Sequence, residues 1–388
     1  MRNLNLFFLI IINLIISACN NNQTIQGDTS FLDLEVPVYD FQNVKMSDII
    51  SEYEIVPLEF TNKSMISGIF KIIIHDDLIY ILDCFGAQSI LVFDMKGNFK
   101  RSISRKGNGP GEITYPMDFE IIPEENRIDV LGYKMIKSFS LQGSLIKESS
   151  YDFSSTGFKK LGETYYFEAP YKTDCLLYRT DENFKFKGFS LVRKKRDVSG
   201  TIVYSPFLQT NPNYITYWAL ANDTIYKIDE KKSYPFRAIN YGKYTYDHDD
   251  YASLSVEEKA RLMMFNRDNI EKCLLNKYFE TDKYIEINYV IKGKHCVFIY
   301  NKETKLSMHY DQKHLTDDIT GLNLHGKIPA LIGCDKERFY FMVAPYNYKS
   351  TEPLLRFMNG ASNKKVYTLD DVKKISNNPI IVFAKYDF

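Results

Sequence analysis

No sign of charge prevails in this sequence. Lys and Arg number 49, Asp and Glu number 49, and the formal net charge over 388 residues is zero. The electrostatic excess that holds nucleic acid or an anionic membrane surface is missing. Tryptophan occurs once and no GH…WD pattern is present, which speaks against the WD-type repeat. Cysteine is scarce and unpaired in pattern: six residues, with no C-x-x-C. Setting Cys19 aside leaves Cys84, Cys175, Cys273, Cys296 and Cys334, an odd number that cannot all pair internally. Most sit among apolar neighbours, as in "HCVFIY", so they read as buried small hydrophobes rather than a disulfide framework or a metal site.

Catalytic signatures are also lacking. There is no G-x-S-x-G elbow and no HExxH. "YDHDDY" (246–251) clusters acids around His248, but neighbouring residues of one segment rarely converge on one ion. His309 and His314 in "HYDQKH" are five apart, off a single helix face, and read as surface residues. "RKKR" (193–196) reads as a solvated loop or hairpin. Metal ligands are therefore not expected.

What the chain does have is an address and a repeat. Leu4 to Ile16 is apolar apart from Asn5 and Asn13, follows Arg2, and ends in Ser17-Ala18-Cys19. That run is short for a permanent span but suits a signal peptide, and small residues before a Cys resemble a bacterial lipobox. We expect residues 1–18 to be cleaved, Cys19 to carry lipid, residues 19–44 to form a tether or entry segment and residues 45–388 to fold as one six-bladed domain. "CNNNQT" brings no acid after Cys19, which favours an outer-membrane anchor facing the periplasm.

Tyr (29) and Phe (27) are abundant and favour half-buried pleated surfaces. "FDMKGNF" (93–99), "FSLQGSL" (139–145), "YRTDENF" (178–184), "IDEKKSY" (228–234) and "YNKETKL" (300–306) repeat one hairpin signature: apolar, polar turn, apolar. Their starts lie about 46, 39, 50 and 72 residues apart. The long interval contains 255–279, where Ser255 and Glu258 form a capping-box pattern and Leu262, Phe265, Ile270 and Leu274 recur at helical spacing. A helical insertion is expected there, and a short helix over 369–376, which Thr368 and Asp371 could cap. "RFYFMVAPY" (338–346) and "PIIVFAKYDF" (379–388) supply a sixth unit, and "EYEIVPLEF" (52–60) is the candidate strand to close the ring. The expectation is an all-β, six-bladed propeller of four-stranded antiparallel blades.

"RKGNGPGEITYPMDF" (105–119) is the densest glycine stretch in this pattern. It lacks the Lys-Ser/Thr of a Walker loop, its third glycine is one place early for a dinucleotide fingerprint, and strand residues follow it. Gly107, Gly109, Pro110 and Gly111 read as a structural turn between blades, with Glu112 accepting from loop amides or pairing with Arg105 or Lys106. Arg105, Lys106, Glu112 and Asp118 are the candidate contacts on the channel rim.

"VFDMKGNFKRSISRKGNGPGEITYPMDF", with "MSDIISEYEIVPLEF", "LIYILD" and "NPIIVFAKYDF", resembles the six-bladed β-propeller lipoproteins of Bacteroidetes, which are similar to NHL-repeat propellers. The resemblance implies a cell-envelope location and transfers no catalytic residue. The resulting expectation is a lipid-anchored, non-catalytic module that binds an envelope protein or small ligand, without cofactor or nucleic acid. The rival on the same fold is a hydrolase or lactonase with a channel cation such as calcium, which needs Asp118 and Asp83 to converge with other carboxylates. A third reading is an accessory structural subunit of an envelope complex.

Overall fold

The computed structural model describes residues 32–170, 173–193, 206–219, 222–245, 255, 271–319, 330–343 and 377–388. It is a ring of six four-stranded antiparallel blades. The first strand of each blade lines the centre: Lys71–His75, Asp118–Ile122, Phe158–Leu161, Phe207–Asn211, Leu274–Glu280 and Ala330–Cys334. The sixth blade takes its outermost strand, Ile50–Pro57, from the N-terminal side. It pairs with Ile380–Tyr386 in the register Ile380↔Pro57, so the expected closing strand is the observed one.

The five repeated heptapeptides all fall at one place, the turn between third and fourth strands. The sixth blade has no such turn because its fourth strand comes from elsewhere in the chain. The repeat has a physical basis. The residue at the end of each third strand turns its side chain onto the amides of the bend, as Asx and Ser residues do. Asp94 accepts from the backbone N of Lys96 (2.9 Å) and Asn98 (2.9 Å). Ser140 accepts from Ser144, Asp181 from Asn183 and Lys185, Asp229 from Lys231 and Lys232, and Asn301 from Glu303 and Thr304.

The core is six wedges, one between each pair of neighbouring blades. In "LIYILD" (78–83), Tyr80 and Leu82 pack towards the second blade, and Ile79 and Ile81 towards the sixth. A strand covered on both faces must be apolar at every position, which is why alternation fails to show in these runs.

Several expectations change. Leu274–Glu280 is the inner strand of the fifth blade, so the C-terminal end of the expected helical insertion is sheet. Leu274, Leu275 and Tyr278 satisfy a helical spacing but are buried between blades. Residues 256–270 and the expected helix at 369–376 lie outside the described residues. His309 is not a surface residue: it is 1% exposed, donates from Nδ1 to the Asp40 carbonyl (2.8 Å) and meets the Tyr289 hydroxyl at Nε2 (2.8 Å). Arg193, the first residue of "RKKR", is half-buried and gives its guanidinium to the carbonyls of Thr173, Ala169, Pro170 and Cys175.

The stretch expected as tether is partly folded. Leu32–Glu35 adds a fifth, parallel strand to the outer edge of the fourth blade. Phe41 then packs on His309 and His314, and Val44–Lys45 pairs with Leu315–Thr316, just after the fifth blade's last strand, in a separate two-stranded sheet. The segment is a belt over blades four and five that leads into the closing strand of blade six. Cys84, Cys175, Cys273 and Cys296 are buried, and all five described cysteines are free, as their apolar surroundings predict.

Candidate functional site: the central channel

The six inner strands enclose a cavity of about 930 Å³. That is the size of a small-ligand pocket. Its wall is mainly apolar, with Ile73, Phe207, Leu208, Phe279 and Ile332 among the lining residues. Exposed Phe85 stands at one mouth and exposed Lys336 at the other.

Charged groups enter this wall in two different ways. On the side of blades one to three they neutralise one another. Lys71 Nζ donates to Asp118 Oδ1 (2.8 Å) and to Glu120 Oε1, and Lys159 Nζ donates to Glu120 Oε2 (2.6 Å). Asp118 Oδ2 also accepts from the backbone N of Phe158 (3.0 Å). Burial raises the Asp118 carboxyl above its ordinary range. Against the same burial, Lys159 and Lys71 hold the Glu120 carboxyl below it, and Asp118 and Glu120 keep Lys71 protonated. Two ammonium groups and two carboxylates form a closed, neutral quartet.

On the side of blades four to six the inner strands are bulged. The register to the second strand slips between Leu208 and Asn211, between Leu275 and Lys277, and between Leu331 and Gly333. No slip occurs in the corresponding pairs of blades one to three. A bulge inserts an extra residue and re-aims its neighbours. Asn276 and Ile332 are two such extra residues, and both line the cavity beside Lys277 and Gly333. Lys277 Nζ donates to the Leu331 carbonyl. Burial deep in the ring lowers its pKa to about 8, partly opposed by Glu286. Glu286 is itself pushed up to about 7 by burial, although the Tyr386 hydroxyl (2.6 Å) and Asn288 (2.8 Å) both donate to it.

Of the rim candidates, only Asp118 joins the charged groups of the wall, through Lys71. None of Arg105, Lys106 or Glu112 lines the cavity. Glu112 folds back on its own loop: Oε2 accepts from the backbone N of Gly109 (3.0 Å). A Cβ on Gly107, at φ +156°, would come within 2.0 Å of that oxygen, so a larger residue there would displace the Glu112 carboxylate from the loop. Gly111, at φ +73°, is anchored through its N–H to Glu148 on the outer strand of blade two. Pro110 lies exposed between these glycines, and no ion pair joins Glu112 to Arg105 or Lys106 among the described residues. Asp118 opens the second inner strand and is tied to Lys71. Asp83 does not join it: fully buried, it accepts from the backbone N of Ser67, Phe85, Gly86 and Ala87. Among the described residues no group of three or more His, Cys, Asp or Glu is placed to hold a metal ion.

Residues 30–385 match the family described as Domain of unknown function (DUF4934). The chain belongs to DUF4934. No curated protein sequence matches it. A solved structure from Bacteroides fragilis, described as an exported protein, is similar to this DUF4934 chain with a TM-score of 0.69 at 14% identity. It covers 92% of this chain and 100% of that one. A member of the DUF4221 family from Bacteroides vulgatus gives a TM-score of 0.51 at 8% identity, covering 87% and 97%. At such identities the likeness shows the fold.

Sequence reasoning missed Lys277 in the DUF4934 channel because it fell inside the segment read as helical. The signal was present: "LLNKYFE" sets a polar pair inside an apolar run, which breaks strand alternation as a bulge does.

Proposed function

We propose that this propeller is a cell-envelope binding module, lipid-anchored through Cys19, that holds a small ligand or an envelope protein without catalysing a reaction. The observation that carries this reading is the cavity built jointly by all six inner strands. The envelope address is supported by the Leu4–Ile16 run ending in Ser17-Ala18-Cys19, and a similar Bacteroides fragilis protein described as exported is consistent with it. Among the described residues no helix is long and apolar enough to cross a membrane. A cation-dependent hydrolase is less favoured, because Glu120 and Asp118 already spend their oxygens on lysines and amides, and a cation would have to displace them.

The test is affinity capture from membranes with the anchor intact. We expect a stoichiometric envelope protein or small molecule to co-purify. Purified chain that hydrolyses esters or lactones and retains no partner would overturn the reading. For the anchor, Cys19→Ser should move the protein out of the membrane fraction; full retention there would contradict lipidation.

A further inference from the structure

Three lysines stand on the inner strands and line the channel. Lys71 and Lys159 each face a carboxylate within hydrogen-bonding distance. Lys277 does not: among the described residues it forms no ion pair, and its hydrogen bond goes to a neutral carbonyl. The other lining acids are not available to it. Glu120 is held by two lysines, and Asp335 is held by Arg338 (2.8 Å) and by the Tyr340 hydroxyl (2.7 Å). Glu286 lies behind the wall, outside the cavity lining, and accepts from the Tyr386 hydroxyl and Asn288. An ammonium group facing a mainly apolar cavity without a counter-ion is a strong electrostatic demand for an anion. The bulges at Asn276 and Ile332 are what turn this part of the wall towards the cavity.

We propose that the channel binds a small amphipathic acid, with its carboxylate on Lys277 and its apolar body against Phe207, Leu208, Phe279 and Ile332. This rests on the reading of the propeller as a binding module and names its ligand class. One unpaired ammonium matches one negative charge. The other inner-strand lysines are already neutralised, so the apolar part of the wall offers one free cation, while Lys336 stands out at the mouth. The Asn276 side chain beside Lys277 adds an amide that can donate to the second carboxylate oxygen.

The test uses the full chain in amphipol, with radiolabelled octanoate and octanol as probes in equilibrium dialysis against protein-free amphipol. Octanoate should bind at least ten-fold more tightly than octanol. Lys277→Met should weaken octanoate ten-fold or more and leave octanol unchanged. Lys277→Arg should retain most of the affinity, which also controls for folding. Octanoate affinity should fall as pH rises above about 8, where Lys277 loses its proton, whereas octanol affinity should stay flat. As a second readout, the ¹³C-methyl signal of reductively methylated Lys277 should report a raised pKa when octanoate is bound. Octanoate binding that Lys277→Met leaves intact would overturn the assignment to Lys277 while leaving the binding-module reading standing. Absence of octanoate binding would overturn the ligand class, and the capture experiment then judges the module reading independently.

Discussion

The two halves of the channel wall are built from the same blade and end in opposite electrostatic states. Blades one to three present regular inner strands whose lysines and carboxylates close on one another. Blades four to six present bulged inner strands and a lysine with no ion partner among the described residues. The difference teaches that residue type alone does not decide whether a charge on an inner strand is neutralised: Glu280, on the same strand as Lys277, is met by Arg237 and Lys302, whereas Lys277 beside the bulge meets only a carbonyl. A lysine on a regular strand can be met by an acid on the neighbouring blade, as Lys71 is met by Asp118 and Glu120. A bulge shifts the side chain out of that match.

The comparison breaks first on stability. Lys71→Met removes the cation that Asp118 and Glu120 share, and should destabilise the chain by about 3–5 kcal/mol in urea unfolding, the usual cost of orphaning a buried charge. Lys277→Met should not destabilise the chain at neutral pH and should instead stabilise it, because no carboxylate loses its partner and a buried ammonium is removed. Equal losses in the two variants would erase the contrast between the halves.

A smaller effect separates the halves by pH. The folded state holds Lys277 at about 8, below the free amine's 10.5. Between those values the unfolded chain binds more protons, so this group makes stability rise with pH. The rise should appear in the difference between parent and Lys277→Met, since other lysines and tyrosines cancel there. Glu286 works the other way. Its folded value of about 7 stands above the free carboxyl's 4.5, so its contribution is present at low pH and is lost as pH climbs from 4.5 through 7. Unfolding curves of Glu286→Gln and parent should converge at acid pH and separate near neutrality.

The smallest expected effect is a control on which both halves should agree. Asp94→Ala in blade one and Asp229→Ala in blade four each remove a side chain that holds the amides of an equivalent turn, and each should cost about 1 kcal/mol in thermal unfolding. Hydrogen bonds from Lys100, Asn98 and Lys96 hold the Asp94 carboxyl down to about 2 despite the upward push of burial, so its share should persist until strong acid. A large disparity between the two would mean that the blades differ beyond their inner strands.

These same turns explain how much could be read in advance. The period and the blade count were legible because Asp94, Ser140, Asp181, Asp229 and Asn301 mark the end of the third strand in five blades with a turn-forming side chain. The channel was not legible. Pairing Lys71 with Asp118 and Glu120 needs two blades side by side, and sequence distance hides that. Lys277 was obscured because Leu274, Leu275 and Tyr278 fit a helical stripe as well as a strand buried on both faces. The conspicuous glycine loop proved self-contained, since Glu112 accepts from the amide of Gly109 in the same loop. His309 was misread because its partners, Asp40 and Phe41, come from a belt more than two hundred residues upstream.

The strand Ile50–Pro57 also sets the order in which the molecule can fold. Ser51 donates to the Lys385 carbonyl across a separation of 334 positions, and the whole last ladder is of that kind. Such contacts yield their stabilisation only after the intervening chain has been ordered, which makes them late and slow. Five blades can assemble from local hairpins while the sixth waits for both ends. Until then its strand edge, Ile380–Tyr386, is unpaired and open to the wrong partner. Ring closure is therefore the step at which a chaperone would have the most time to act.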